Sequence, residues 1–134
     1  MIYALDSNIV SYMLRDNDTV YEHYADALTN GYTCVLPLIT YYEVLRGLLA
    51  NDSHKLLGLF EDFCNDIDII DLSVTDMVTA ARIYANRKKI GRPIDDSDLL
   101  IAAQCVSHQY TLVTNNTRHF ANIDGLKIVD WTQA

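Results

Sequence analysis

The chain has 134 residues, 50% of them apolar and 21% charged, a balance that fits one domain over residues 1–134 with enough core to need no disulfide or zinc. Disorder and collagen-like or low-complexity architectures are excluded. Eighteen acidic residues against ten basic ones give a formal charge of −8, which argues against holding polyanions through bulk electrostatics, so any nucleic-acid contact has to be local.

In chain order, Ile2-Tyr3-Ala4-Leu5 predicts a first strand that runs straight into Asp6-Ser7-Asn8. Val20, Tyr24, Ala27 and Leu28 share one helical stripe. Thr33-Cys34-Val35-Leu36 predicts a second strand, leading through Pro37 into a helix that carries Tyr41-Tyr42-Glu43. Leu56, Phe60, Phe63 and Cys64 form the next helical stripe, and 67–70 the third strand. Val74, Met77, Val78, Ala81 and Tyr84 recur at helical spacing and are expected to face the core. Leu99-Leu100-Ile101-Ala102-Ala103 suits a helix buried on most sides, capped by Asp95 or Asp98. Two more strands follow at 111–114 and 127–129. Strands alternating with helices predict an α/β fold with a mainly parallel sheet, in which ligands bind beyond the carboxyl ends of the strands at a topological switch point.

No apolar run reaches the ~18 residues of a membrane span. The first residues, Met1 to Asp6, lack the basic and apolar regions of a secretory leader. Cys34, Cys64 and Cys105 are odd in number and set among apolar neighbours, as reduced core residues of a cytoplasmic protein would be.

Fifteen of the eighteen acidic residues are Asp, a residue of caps, turns and loops rather than helix interiors. Asp6 follows the first strand, Glu43 the second, and Thr114-Asn115-Asn116 the fourth, while Ile94-Asp95-Asp96-Ser97-Asp98 precedes the apolar helix. A parallel sheet brings these polar ends to one rim. Converging carboxylates repel one another unless a cation lies among them. An all-oxygen set selects a hard ion such as Mg2+ or Mn2+, and metal-assisted phosphodiester hydrolysis follows from that chemistry. The competing reading makes Asp6 a helix cap and Glu43 a surface residue.

Four blocks in order, Leu5-Asp6-Ser7-Asn8-Ile9, Tyr42-Glu43-Val44-Leu45-Arg46-Gly47, Gly91-Arg92-Pro93-Ile94 with Asp98-Leu99-Leu100-Ile101-Ala102-Ala103, and Leu112-Val113-Thr114-Asn115-Asn116-Thr117-Arg118-His119-Phe120, resemble the PIN-domain ribonucleases. More narrowly they resemble the VapC toxins of type II toxin–antitoxin systems, and the likeness runs the length of the chain to Asp130-Trp131. The resemblance implies a three-layer α/β/α fold with about five strands and a Mg2+-dependent endoribonuclease, with tRNA a possible substrate. It also implies a VapB-type antitoxin as inhibitor and a homodimer. By motif position, Asp6, Glu43 and Asp98 match the acidic metal-site residues, with Asp6 and Asp98 as the metal ligands. The fourth acidic position falls on Asn116, which keeps an oxygen donor and removes a charge. Ser7, Asn8 and Thr114 are expected to fix the carboxylates from behind, and Asp95 and Asp96 either assist a second ion or cap the helix.

Five of the ten basic residues, Arg82, Arg87, Lys88, Lys89 and Arg92, fall within eleven positions. They lead into the Asp95–Asp98 segment, and Arg87, Lys88, Lys89 and Arg92 either grip RNA phosphates or form a solvated helix end. Arg118, with His119, is a second candidate RNA contact. Tyr12, Met13 and Leu14 suit a protein partner, and the tyrosines, Tyr41 and Tyr42 among them, suit base stacking or an interface. One alternative is a non-catalytic phospho-accepting receiver domain, with Asp71 as acceptor and Lys127 as its lysine. It lacks the acidic pair after the first strand and has no use for Glu43 or Asp98.

Overall fold

Strands of three to five residues cannot stand alone in water, and here five of them share one sheet. The computed structural model describes residues 1–134, with β1 (Ile2–Leu5), β2 (Thr33–Pro37), β3 (Asp68–Ile70), β4 (Thr111–Val113) and β5 (Lys127–Val129) in the order β3-β2-β1-β4-β5. Every neighbouring pair is parallel, so the mainly parallel sheet expected from the sequence is wholly so. The chain steps outward from β1 to β2 and β3, then returns to lay β4 on the other side of β1. The strand order therefore reverses between β1 and β4, and a crevice opens at their carboxyl ends.

Six helices cover the two faces: α1 (Ser7–Leu14), α2 (Asp18–Thr29), α3 (Leu38–Ala50), α4 (His54–Asn65), α5 (Val74–Lys89) and α6 (Asp96–His108). Side chains alternate across the strands. Leu5, Cys34, Leu36 and Val113 join α1 to α4 in one core, where Phe60 and Trp131 are buried. Ala4, Val35 and Leu112 join α5 and α6 in the other, with Phe120. The result is the three-layer α/β/α arrangement. Leu14 is buried, while Tyr12 and Met13 pack against the same core and stay partly exposed, so the triplet holds α1 down and only its first two residues keep surface that a partner could meet.

The stripe expected to bury α5 is on the wrong face. Val74 is 80% exposed, and Met77, Val78 and Tyr84 are also exposed. The buried line is Asp76, Ala80, Ile83 and Arg87, which has helical spacing but charged ends that an apolar pattern cannot reveal. Both ends are satisfied. Asp76 is fully buried; it accepts from Ser73 N at 2.9 Å, closing a capping box, and from the Ser107 hydroxyl of α6. His108 Nε2 lies 3.3 Å from it. Arg87, 7% exposed, donates to the carbonyls of Arg92 and Ala121 at 2.7 Å and of His119 at 3.5 Å. One arginine thus ties the end of α5 to the loops on either side of the crevice.

The receiver alternative fails on topology. Asp71 follows β3 and Lys127 begins β5, and these strands are the two opposite edges of the sheet, so no phosphoryl group on Asp71 could meet that lysine. No helix is long and apolar enough to cross a membrane. All three cysteines are free, with Cys34 and Cys105 buried.

Asp76 yields a test of the α5 anchorage. Burial pushes its carboxyl up, but the hydrogen bonds from Ser107 and Ser73, with His108 nearby, outweigh burial and hold it below the ordinary carboxylate range. A carboxylate depressed on folding stabilises above its unfolded pKa of about 4 and loses that contribution as pH falls through the folded value. Asp76→Asn should therefore cost about 2–3 kcal/mol at pH 7, with the gap to wild type closing towards pH 3 in urea unfolding. A gap independent of pH would mean that Asp76 is not ionised in the fold.

Candidate active site

Asp6 is the first residue past β1, and its own N–H extends the sheet by donating to Val113 O at 2.9 Å. It is also the N-cap of α1, so the cap and metal-site readings fall on one residue. Its carboxylate is 2% exposed. One oxygen accepts from Ser7 N at 2.8 Å and the other from the Thr114 hydroxyl at 2.7 Å. The second bond crosses the crevice from β4 to β1, since Thr114 follows β4. Thr114 Oγ1 in turn accepts from Asn116 N at 3.0 Å, which fixes the turn leaving β4.

Glu43 stands in the second turn of α3, and that helix is pinned to β1 by a buried bond from the Thr40 hydroxyl to Leu5 O at 2.8 Å. Its Oε1 is buried and has no hydrogen-bond partner, and Arg46 reaches only the other oxygen, Oε2, at 3.9 Å. Asp98 lies in the first turn of α6 with His119 Nδ1 at 3.4 Å. Three elements thus bring Asp6, Glu43 and Asp98 to one rim, as their places in the sequence predicted.

Their electrostatics bear the mark of that convergence. All three carboxyls are pushed above the ordinary range, by burial first. Asp6 and Asp98 then raise Glu43 further, and Asp98 raises Asp6. Thr114 and Ser7 pull Asp6 back, and His119 pulls Asp98 back. No three acidic, imidazole or thiol side chains lie close enough to enclose an ion by themselves. Such a donor set still suits a hydrated hard cation, because Mg2+ is commonly held by one or two carboxylates and keeps several waters. The unpartnered Glu43 oxygen is the kind of acceptor such a water satisfies.

The remaining predicted residues fall into distinct places. Asn8, on the first turn of α1, donates to Asn115 Oδ1 at 3.3 Å, and Asn115 donates to the Tyr12 hydroxyl at 3.0 Å. Asn115, and not Asn116, therefore ties the β4 edge to α1, a role that adjacent identical residues concealed. Asn116 is half-buried, makes no side-chain hydrogen bond of its own, and lines a small rim cleft with Arg118 and His119. Asp95 holds the N-cap position of α6 without a side-chain cap bond, and Asp96 is exposed. Lys88, Lys89, Arg92 and Arg118 are exposed, so they remain available to a polyanion. Arg87 does not: the structure corrects its expected RNA contact, because its guanidinium is spent on backbone carbonyls. A cavity of about 230 Å³ lined by Arg92, Arg118, His119, Asp95 and Asp98 adjoins the carboxylates.

Residues 3–126 match the family model described as the PIN domain. The chain is 29% identical to "Ribonuclease VapC1" of Haemophilus influenzae strain R2866, over 99% of this chain and 100% of that one. It is 29% identical to "tRNA(fMet)-specific endonuclease VapC" of Shigella flexneri, over 97% and 98%. Among solved structures, the complex of VapBC2 from Rickettsia felis bound to a promoter DNA fragment contains a chain that superposes with a TM-score of 0.90 at 27% identity, covering 98% of this chain and 99% of that one.

The mutual repulsion at the rim predicts a trade between stability and site. A carboxyl whose pKa is raised on folding stabilises below its unfolded pKa and loses that contribution as pH rises through the folded value, so at pH 7 the ionised Glu43 is a burden on the metal-free fold. Glu43→Gln should raise the melting temperature at pH 7 in chelator by a few degrees, with the gain absent near pH 3. An unchanged or lowered melting temperature at pH 7 would contradict the repulsion.

Proposed function

The chain belongs to the PIN-domain family, and from that membership we propose that it is a Mg2+-dependent endoribonuclease serving as the toxin of a type II toxin–antitoxin pair in the cytoplasm. The observation that carries this reading is the set of three carboxylates from β1, α3 and α6 at the sheet's switch point, with one buried Glu43 oxygen unpartnered. The names of the relatives, ribonuclease and tRNA(fMet)-specific endonuclease, support RNA as the substrate and tRNA as its class. Neighbouring solved structures titled as VapBC complexes support a VapB-type antitoxin as inhibitor.

In this reading Asp6 and Asp98 hold Mg2+, for which Mn2+ can substitute. The bound ion would supply Lewis acidity towards a phosphate oxygen and lower the pKa of attacking water. The chain's own residues do the positioning. Thr114 and Ser7 N lock the Asp6 carboxylate in one orientation, so no reorganisation is needed when charge develops on the phosphate. Glu43 accepts a proton-bearing water at its free oxygen and orients it. His119 and Arg118 stand beside Asp98, where they can hold the phosphate that the carboxylates alone would repel. Lys88, Lys89 and Arg92 extend this positive edge, Arg87 holds its loops in place, and Asn116 faces the same rim with a neutral oxygen. The homodimer belongs to the same proposal, with the exposed Val74, Met77, Val78 and Tyr84 face of α5 as the apolar surface open to a second copy.

Asp6→Ala and Asp98→Ala should each lower tRNA cleavage by about 10²–10³-fold, the equivalent of several kcal/mol of transition-state stabilisation. Chelator should abolish wild-type cleavage and Mg2+ restore it. Cleavage by Asp98→Ala at the wild-type rate, or full activity in chelator, would overturn the reading. Asn116→Ala should cost about 10-fold, the scale of a residue that orients rather than ligates.

A further inference from the structure

A second groove meets the carboxylates from the opposite side. It runs between α1 and α3, has a volume of about 270 Å³, and is lined by Ser7, Asn8, Ser11, Arg15, Glu43 and Arg46 together with Asn51. Only Val44 and Leu48 contribute apolar lining. The cavity beside Asp98 belongs to the α6 and β4 side of the sheet; this one belongs to the α1 and α3 side, in the other helical layer. Glu43 is the wall it shares with the acidic centre.

Of its two cations one is free and the other loosely held. Arg15, just past the end of α1, is exposed and its guanidinium enters no hydrogen bond or ion pair. Arg46 has only the long 3.9 Å approach to Glu43, and its guanidinium lies 5.0 Å over the ring of exposed Tyr42, which holds its plane still at low entropic cost. Apart from His119, every basic side chain lining the two grooves is an arginine, and no lysine lines either. Arginine's planar fork matches phosphate oxygens in pairs, while lysine offers a point charge. The serines and asparagines add neutral donors of the kind that position a nucleic-acid backbone. A protein segment would need an apolar anchor at the centre of its footprint, and this groove provides almost none.

We propose that the α1–α3 groove is a second RNA-backbone subsite, in which Arg15 and Arg46 take phosphates on the far side of the carboxylates from Arg92 and Arg118. A single-stranded RNA then crosses the acidic centre between two arginine pairs, with Tyr42 as a surface on which a flanking base can stack. The proposal rests on the nuclease reading above and specifies how that substrate lies.

The test measures binding of a fluorescent single-stranded RNA of about twelve nucleotides, within the span of a single-strand groove, to the full chain in chelator at several salt concentrations. Each single-strand phosphate contact contributes about 0.7 to the slope of log affinity against log salt, or about 5-fold at 0.1 M. Arg15→Ala should lose about 5-fold, and Arg15→Ala with Arg46→Ala about 25-fold with the slope falling by about 1.4. Arg46→Lys should retain most of the slope, and Lys127→Ala, which removes a cation at the start of an edge strand, should change nothing. In Mg2+, Arg15→Ala should raise KM more than it lowers kcat. If the double variant is unstable, Arg15→Gln alone carries the test, since that exposed side chain enters no hydrogen bond or ion pair. Wild-type affinity in the Arg15 variants, while Asp98→Ala still abolishes cleavage, overturns the subsite and leaves the nuclease standing. Losses no greater than those of Lys127→Ala also overturn it. A groove that binds an oligoglutamate peptide in an Arg15-dependent way and ignores RNA belongs to a protein partner. A wild-type chain that neither binds nor cleaves RNA removes both readings.

Discussion

The Thr114-to-Asp6 hydrogen bond, 2.7 Å long and buried, joins the carboxyl ends of the two strands between which the sheet reverses its order. A buried carboxylate without partners would cost several kcal/mol or give up its charge. Here the hydroxyl from β4 and the first amide of α1 keep it anchored while leaving it next to the crevice. Much else is arranged around that bond. Thr40 pins α3 to the residue before Asp6, which aims Glu43 at the same rim. The turn after Thr114, closed by Asn116 N, carries Asn115, Arg118 and His119 to it.

Most of the scaffold was legible in the sequence because its physics is local. All five strands fall within a residue or two of the apolar runs that predicted them. The central three are short, mostly apolar runs because a parallel strand covered on both faces must be, and the edge strands β3 and β5 keep two apolar residues each beside an exposed Asp68 and Lys127. Asp6, Glu43 and Asp98 were legible for a related reason: in a parallel sheet the residue after a strand, or at the start of a returning helix, arrives at the carboxyl edge whatever the rest of the chain does. What could not be read locally was the orientation of α5. Its buried line is set by Asp76 and Arg87, whose partners lie about thirty residues away in Ser107, His119 and Ala121. Hydrophobic periodicity assigns charged residues to solvent and so picked the opposite face.

The same blindness affected the cations. Arg87 sits in a basic run and looks like part of a polyanion surface, yet it is consumed by three carbonyls. Arg15 and Arg46 have no basic neighbours in sequence to mark them as a pair, yet the fold sets them in one groove. Clustering along the chain is a poor guide because residues i and i+1 of a helix point apart, whereas the residue after α1 and the middle of α3 become neighbours through packing. Asn115 and Asn116 show this at the smallest scale: identical neighbours, of which one binds Asn8 and Tyr12 and the other lines a cleft.

The overall charge of −8 then has a structural meaning. Long-range attraction for RNA is weak in such a chain, because a net negative surface repels a polyanion at distances beyond a Debye length of about 8–10 Å. Close to the crevice the balance changes: arginines flank the carboxylates from both helical layers, and a cation among the carboxylates would remove the local repulsion. Binding in such a field favours a strand that fits the crevice over one that merely carries charge, since a loosely held RNA meets the acidic surface and only a seated one meets the arginines. Under the proposed nuclease reading, selectivity for the seated strand would be built from repulsion elsewhere as much as from contact at the site, which is a use for an acidic exterior that solubility alone does not supply.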